Sequence, residues 1–349
     1  RQNARLNVIY PVSLPRQMVD EVTQEFRYHP NLPRRLAQQL YAGLAIRWPL
    51  ENLTAPVMFS IPEHTKVMET WVFIPGNHSV RVIDFSRQSS IVFPKAGFDI
   101  EMTRRDASIR QRFPFLLAPK IAEAPLHGAW YIEERVCGLP LNRLPDVAQR
   151  AAAEALAVAS LRRLYAETWV SEKVESYLEQ LTSELDTLFV CTGSRMTKDF
   201  LGRLKSIKER ASAVVARSGQ EAVLVVQSHG DFQPANILVD GENVKIIDWE
   251  YSKTRSVTYD YLVYTACSRF ASGLEGRLAQ LLNRAREEGE LKSWFGDSHV
   301  NIQRCFALFL LEELSLKLQE SAASVLHDTS WNLVNWVPEV DQFLVRLLD

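Results

Sequence analysis

Between Ser228 and Glu250 the chain reads S-H-G-D-F-Q-P-A-N-I-L-V-D-G-E-N-V-K-I-I-D-W-E, and no other stretch constrains its folding as tightly. Ile237 to Val239 and Val244 to Ile247 are short apolar runs on either side of Asp240-Gly241-Glu242-Asn243, a turn signal, so the segment is expected to form a β-hairpin. Antiparallel pairing closes the two open ends together, which brings Asn236, just before the first strand, beside Asp248, just after the second. Paired strands lie ~5 Å apart. A carboxamide and a carboxylate at that separation offer two hard oxygens to one gap, a donor set suited to Mg²⁺, which keeps its other positions for water and phosphate. Asp231 comes five residues before Asn236, in a loop kept irregular by Gly230 and Pro234, and can reach the same gap.

These residues resemble a known family. His229-Gly230-Asp231, Asn236 and Ile247-Asp248-Trp249-Glu250 are similar to the H-G-D-x-x-x-x-N and I-D-W-E signatures of the aminoglycoside phosphotransferase and choline kinase family. The resemblance implies an α+β, two-lobed protein-kinase-like fold with a β-rich N-lobe and a mainly helical C-lobe. It further implies that Asp231 orients or deprotonates an acceptor hydroxyl, that Asn236 and Asp248 carry Mg²⁺ on the phosphates of ATP, and that Glu250 sits close behind the metal. Asp and Asn also cap ordinary turns, but their joint spacing within a loop, hairpin and loop is far rarer than any one of them alone. His229 reads as packed support for the loop.

Composition restricts the function classes. Forty Lys plus Arg against 42 Asp plus Glu give a formal charge of −2 over 349 residues, with no whole-chain attraction to nucleic acid or an anionic membrane. The apolar runs, such as Phe306 to Leu311, are far short of a membrane span, and Arg1 to Arg5 opens no signal-peptide pattern, so a cytoplasmic location is expected. Cys137, Cys191, Cys267 and Cys305 are scattered without a C-x-x-C pair, which points to reduced thiols.

In chain order, three regions are expected: residues 1–65 as an extension packed on the small lobe, 66–137 as the nucleotide-binding N-lobe and 138–349 as the helical C-lobe. Seven prolines cut the extension into short pieces, with room for helices near Arg16 to Phe26 and Arg34 to Ala45. Its aromatic residues Phe26, Tyr28, Tyr41 and Trp48 argue for a packed segment. Val67 to Ile74, Ser79 to Phe85 and Ser90 to Lys95 read as strands, the first two around Pro75-Gly76-Asn77-His78. In the kinase-like reading Lys95 is the phosphate-binding lysine, although Pro94 before it can end the strand. Asp99 to Phe113 reads as a helix supplying the acid that pairs with Lys95. Arg105-Asp106-Ala107 resembles the family's Arg-Glu-Ala and favours Asp106, with Glu101 as its rival. Phe115 to Glu123 and Ala129 to Val136 are read as further strands. The second resembles the family's last small-lobe strand and linker, with adenine bonding to backbone near Glu134 to Val136.

Asp146 to Glu167, Ser171 to Leu188 and Lys198 to Arg217 read as helices, and residues 262–349 as helical and amphipathic. Asp260, in Tyr259-Asp260-Tyr261-Leu262, resembles the family's acid that buttresses the catalytic loop. The resemblance implies that the helical large lobe supplies the acceptor site, where an acid cluster could hold a cationic acceptor; Glu312-Glu313, beside the apolar run, reads more simply as core or a solvated face. The expected activity is ATP- and Mg²⁺-dependent transfer of the γ-phosphoryl group to a hydroxyl of a small molecule such as an aminoglycoside, an amino alcohol or a sugar. A kinase of glycans, lipid-linked saccharides or proteins and a non-catalytic nucleotide-binding scaffold are the alternatives. The residues point to neither an oligomeric state nor one acceptor.

Overall fold

A computed structural model describes residues 2–3, 7–24, 28, 31–45, 66–76, 78–125, 128–219, 221–288, 301–323 and 330–348. Phe26, Trp48 and Asn77 lie outside the described residues. The chain forms two compact units, Arg1–Leu161 with Pro234–Glu250, and Arg162–Gln233 with Tyr251–Asp349.

The first unit is built on a seven-stranded antiparallel sheet. Its strands are β1 (Gln2–Asn3), β2 (Val8–Ile9), β3 (Trp71–Pro75), β4 (Ser79–Asp84), β5 (Ser89–Pro94), β6 (Ile121–Glu123) and β7 (Tyr131–Glu134), in the spatial order β1-β2-β3-β4-β5-β7-β6. The extension is part of this sheet, because β2 pairs with β3 at Ile9 and Phe73. Helices α1 (Arg16–Val22) and α2 (Leu32–Ala45) belong to the same segment. Val8, Tyr10, Leu14, Val19 and Ala42 share one apolar core with Val72, Ile83 and Phe85 of the sheet. Burial of that kind, at roughly 1.5–3 kcal/mol per large side chain, fixes the extension in place.

Helix α3 (Ile100–Arg112) starts where Asp99 caps it, the carboxylate accepting from the Glu101 N–H at 2.9 Å. Ala107 of this helix packs with Val92 and Tyr131. Lys66–Thr70 is a 3₁₀ turn, so the first expected strand begins only at Trp71, and of Phe115 to Glu123 only the last three residues are extended. A three-stranded sheet, β12-β11-β8, completes the unit: β8 (Leu139–Pro140), β11 (Ile237–Asp240) and β12 (Asn243–Ile246). Because Leu139 and Pro140 pair with Val239 and Leu238, the chain past Cys137 stays within this unit, and the compact units divide elsewhere than at residue 137.

Helix α4 (Val147–Thr168) leads into the second unit. There β9 (Val170–Lys173), β10 (Ala222–Ser228) and β13 (Lys253–Ser256) form an antiparallel sheet in the order β13-β10-β9. The expected helix from Ser171 therefore starts late. Ser171 to Lys173 pair with Leu224 to Ala222, and helix α5 runs over Val174–Thr192. Around the sheet stand α6 (Lys198–Ala216), α7 (Tyr259–Thr265), α8 (Leu274–Glu288), α9 (Ile302–Ala323) and α10 (Ser330–Leu348). Helix α9 is apolar on all sides from Phe306 to Leu311, and each of those six residues is buried. A helix without a polar face has to lie inside, and this one runs through the core of its unit.

Candidate active site

The hairpin adopts the expected register. Ile237 pairs with Ile246 and Asp240 with Asn243, and one step beyond the last pair the Ile247 N–H donates to the Asn236 carbonyl at 2.9 Å. Asn236 and Asp248 thus flank one end of the ladder. Asn236 is buried in a 3₁₀ turn, while the Asp248 side chain is half exposed and its backbone is left-handed, φ 63°. Among the described residues no group of three or more His, Cys, Asp or Glu forms a metal cage. A carboxamide and a carboxylate are a fitting donor set for Mg²⁺ that retains water and phosphate oxygens. Behind them the Glu250 carboxylate meets His78 Nδ1 at 3.3 Å, and Arg105 donates to the Glu250 carbonyl.

Asp248 lines a cavity of about 290 Å³ within the first unit. Gly76, Ser79 and Arg81 line it from the β3–β4 hairpin, and Arg135, Val136, Cys137 and Gly138 from the segment after β7. Arg81 is the cation that sequence reasoning missed. Its Nη2 lies 3.7 Å from Asp248 Oδ1, and its Nη1 forms an ion pair with Glu133 Oε1 at 2.8 Å. Glu133 is buried and also takes Arg110 Nη1 at 2.7 Å, so two guanidinium groups share one carboxylate. Burial disfavours the Arg81 charge, but Glu133, Tyr131 and Asp248 outweigh that cost and hold the guanidinium protonated. An arginine on a strand between two apolar neighbours reads as a surface residue. Its inward direction follows only from the register of β4.

The expected pair of Lys95 with Asp106 is not formed. Arg110, one turn on, takes Asp106 at 2.7 Å, and the Tyr131 hydroxyl donates to its second oxygen at 3.0 Å. Burial pushes the Asp106 carboxyl up in spite of Arg110. Lys95 follows the end of β5, where its N–H donates to the His78 carbonyl at 2.8 Å, and it is not among the residues lining the cavity. In the register of β5, where Val92 pairs with Arg81 and Pro94 with Ser79, Lys95 falls on the sheet face opposite Arg81. Glu101, the rival acid, makes an exposed bond to Arg104 at 2.9 Å. Val136 lines the cavity, whereas Glu134 does not: its N–H donates to the Lys120 carbonyl and its carboxylate pairs with Lys245.

In the second unit Asp231 follows a tightly held backbone. Asp260, fully buried, accepts from the His229 N–H at 2.7 Å, the Gly230 N–H at 2.9 Å and the Tyr165 hydroxyl at 2.9 Å. It therefore buttresses the loop as the sequence suggests. His229 turns its Nδ1 to the Asp231 N–H at 3.1 Å, a supporting role. The Asp231 carboxylate receives Gln233 Nε2 at 2.9 Å on one oxygen and Arg269 Nε on the other. Arg269 in turn donates to both oxygens of Glu313 at 2.9 Å and to the Gly230 carbonyl at 2.6 Å. Burial acts to raise the Glu313 carboxyl, yet Arg269, Lys317 and the Tyr259 hydroxyl prevail and hold it below the usual carboxylate range. Glu312 is bonded to Ser256 and Tyr177, and burial pushes its carboxyl up. Both acids are thus buried and bonded within the protein.

Loop and hairpin both fall inside a stretch that matches a known enzyme family. The profile of the phosphotransferase enzyme family matches residues 111–294. The chain belongs to that family. Among solved structures, the phosphotransferase fold is matched by aminoglycoside phosphotransferase APH(4)-Ia in a ternary complex with ADP and hygromycin B, with a TM-score of 0.53 at 14% identity over 78% of this chain and 93% of that one. A choline/ethanolamine kinase family protein from Mesorhizobium loti gives 0.49 at 14% identity over 89% and 99%. Comparison with curated protein sequences finds no match. Family and fold agree with the α+β, two-lobed kinase-like architecture expected from the sequence, and with phosphoryl transfer as the reaction class. Among the described residues no helix is long and apolar enough to cross a membrane.

Proposed function

We propose that the chain transfers the γ-phosphoryl group of ATP to a hydroxyl of a small, uncharged, sugar-like acceptor. The observation that carries this reading is the hairpin end, where Asn236 and Asp248 flank the last backbone bond and Asp248 lines a cavity that Arg81 also enters. Mg²⁺, held there with the phosphates, would supply charge neutralisation across the transferring group. Arg81, kept cationic by Glu133, takes the phosphate-binding role that the sequence assigns to Lys95. In phosphoryl transfer, positioning and charge neutralisation supply most of the rate, so these groups need no nucleophilic Ser or Cys beside them.

Asp231 aligns the acceptor hydroxyl and receives its proton. Its two oxygens are fixed by Gln233 and Arg269, which sets the direction of its lone pairs before an acceptor arrives. An uncharged acceptor is favoured because Arg269 and Lys317 flank Glu313, while Ser256 and Tyr177 occupy Glu312. A polyamine would find these acids already bonded. Aminoglycosides and amino alcohols therefore rank below neutral sugars and nucleosides.

The test pairs two variants in a phosphate-transfer screen over sugars, nucleosides, amino alcohols and aminoglycosides. Asp248→Ala should abolish Mg²⁺-dependent nucleotide binding. Asp231→Ala should leave that binding intact and lower turnover by about 10²–10⁴-fold, the range for loss of a positioned general base. Full turnover in either variant rejects the assignment.

A further inference from the structure

The end of helix α1 lies in the same cavity as Asp248. Glu21, Val22 and Gln24, all from the N-terminal extension, line it together with Arg135 to Gly138. The segment matched to the family starts at residue 111, so these three residues lie outside it. Among the described residues, the side-chain bonds of Glu21 and Gln24 fall on the linker after β7. Arg135 Nη2 and the Cys137 thiol both reach Glu21 Oε1, and Gln24 Nε2 donates to the Gly138 carbonyl at 3.4 Å. Among the described residues those bonds leave Glu21 Oε2 and Gln24 Oε1 as acceptors on the extension.

The charges sort the cavity. A polyphosphate is drawn to Arg81 and to a cation on Asp248, whereas the Arg135 charge at the other end of the cavity is already paired with Glu21. The uncharged portion of the nucleotide therefore belongs against Glu21 and Gln24. Two oxygen acceptors lining one cavity suit a vicinal diol, whose two O–H groups are donors, and the carboxylate strengthens its share of the bonding. We propose that α1 forms the sugar-reading wall of the nucleotide site, with Glu21 and Gln24 accepting from the ribose hydroxyls. The proposal rests on the phosphotransferase reading above and assigns the extension to the nucleotide. Val19, buried against Val72, Ile83 and Phe85, keeps the helix docked while it does so.

The experiment is calorimetric titration of the full chain with Mg·ATP and with Mg·2′,3′-dideoxy-ATP, on the wild type, Glu21→Ala and Gln24→Leu. The second variant leaves the Arg135 ion pair untouched. Wild type should prefer the ribonucleotide. Each variant should lose about fivefold in affinity for ATP, the factor that one hydrogen bond of about 1 kcal/mol carries, and almost none for the dideoxy nucleotide. Equal losses for the two nucleotides would assign Glu21 and Gln24 to fastening the linker only, and unchanged affinities would remove them from the site; either result overturns the inference. A wild type that binds neither nucleotide sinks the phosphotransferase reading itself, and this inference with it.

Discussion

Arg269 donates through one nitrogen, Nη1, to both oxygens of Glu313 at 2.9 Å, while its Nε bonds Asp231. One guanidinium thus couples the expected catalytic carboxylate to an acid with no solvent exposure. Removing one member of a buried ion pair leaves the other uncompensated, at a typical cost of about 3–5 kcal/mol. Arg269→Ala should shift the urea midpoint accordingly. Arg269→Lys should restore much of the stability and little of the turnover, since an ammonium lacks the planar fork that reaches Asp231 and Glu313 together.

Stability should depend on pH through the same acid. The Glu313 carboxyl is held below its ordinary value of 4.5, so the folded chain binds that proton more weakly than the unfolded one. Its contribution is present above 4.5 and is lost as pH falls through the lower, folded value. Glu184, held down by Lys253 and Ser315 against the effect of burial, behaves alike. Asp106 and Glu312, both raised by burial, run the other way: theirs is present at low pH and fades as pH rises through their folded values. Comparison isolates Glu313. The stability gap between wild type and Glu313→Gln should be widest near neutrality and narrow below 4.5, and a gap independent of pH would refute the coupling.

Arg81 and Lys95 can be separated by kinetics. Arg81→Gln should lower kcat by about 10²–10³-fold, the range for losing a preorganised charge beside a developing anion. Lys95→Gln should change it by less than about threefold, on the scale of a substitution away from the site. Steady-state rates with the two variants decide the matter, and a larger effect at Lys95 would return the phosphate-binding role to that residue.

Gly230 tests the loop. It adopts φ 88°, and a Cβ there would overlap the Tyr251 carbonyl oxygen while crowding the Arg255 guanidinium. Gly230→Ala should therefore destabilise by about 1–3 kcal/mol through backbone strain and displace Asp231. Thermal unfolding and turnover should both fall, whereas Gly241→Ala, with a similar φ of 59° but open space around it, should cost less and leave turnover unchanged.

The hairpin and the loop before it were legible because their signals are local: turn residues, two short apolar runs, and polar residues at the strand ends. The start of α3 was legible for the same reason, since Asp99 caps it directly. Val170–Lys173 was not. Its strand is mostly exposed, so it shows no alternation, and only the partner at Ala222 to Val225 makes it extended. Arg81, Glu133 and Arg110 form a cluster assembled from β4, β7 and α3, and no spacing along the chain encodes that meeting. The arrival of Glu21 and Gln24 at the cavity is equally non-local, more than a hundred residues from Arg135 and Gly138.

Asp248 keeps φ at 63°, a region where residues other than glycine, asparagine and aspartate are rarely found. Glycine would relax that peptide and remove the carboxylate proposed to hold Mg²⁺; alanine would remove it too and keep the torsional penalty. Asparagine alone could inherit the conformation, yet it would arrive without the negative charge. The backbone at this one position thus narrows the evolutionary choices to almost a single side chain, before any selection on catalysis begins.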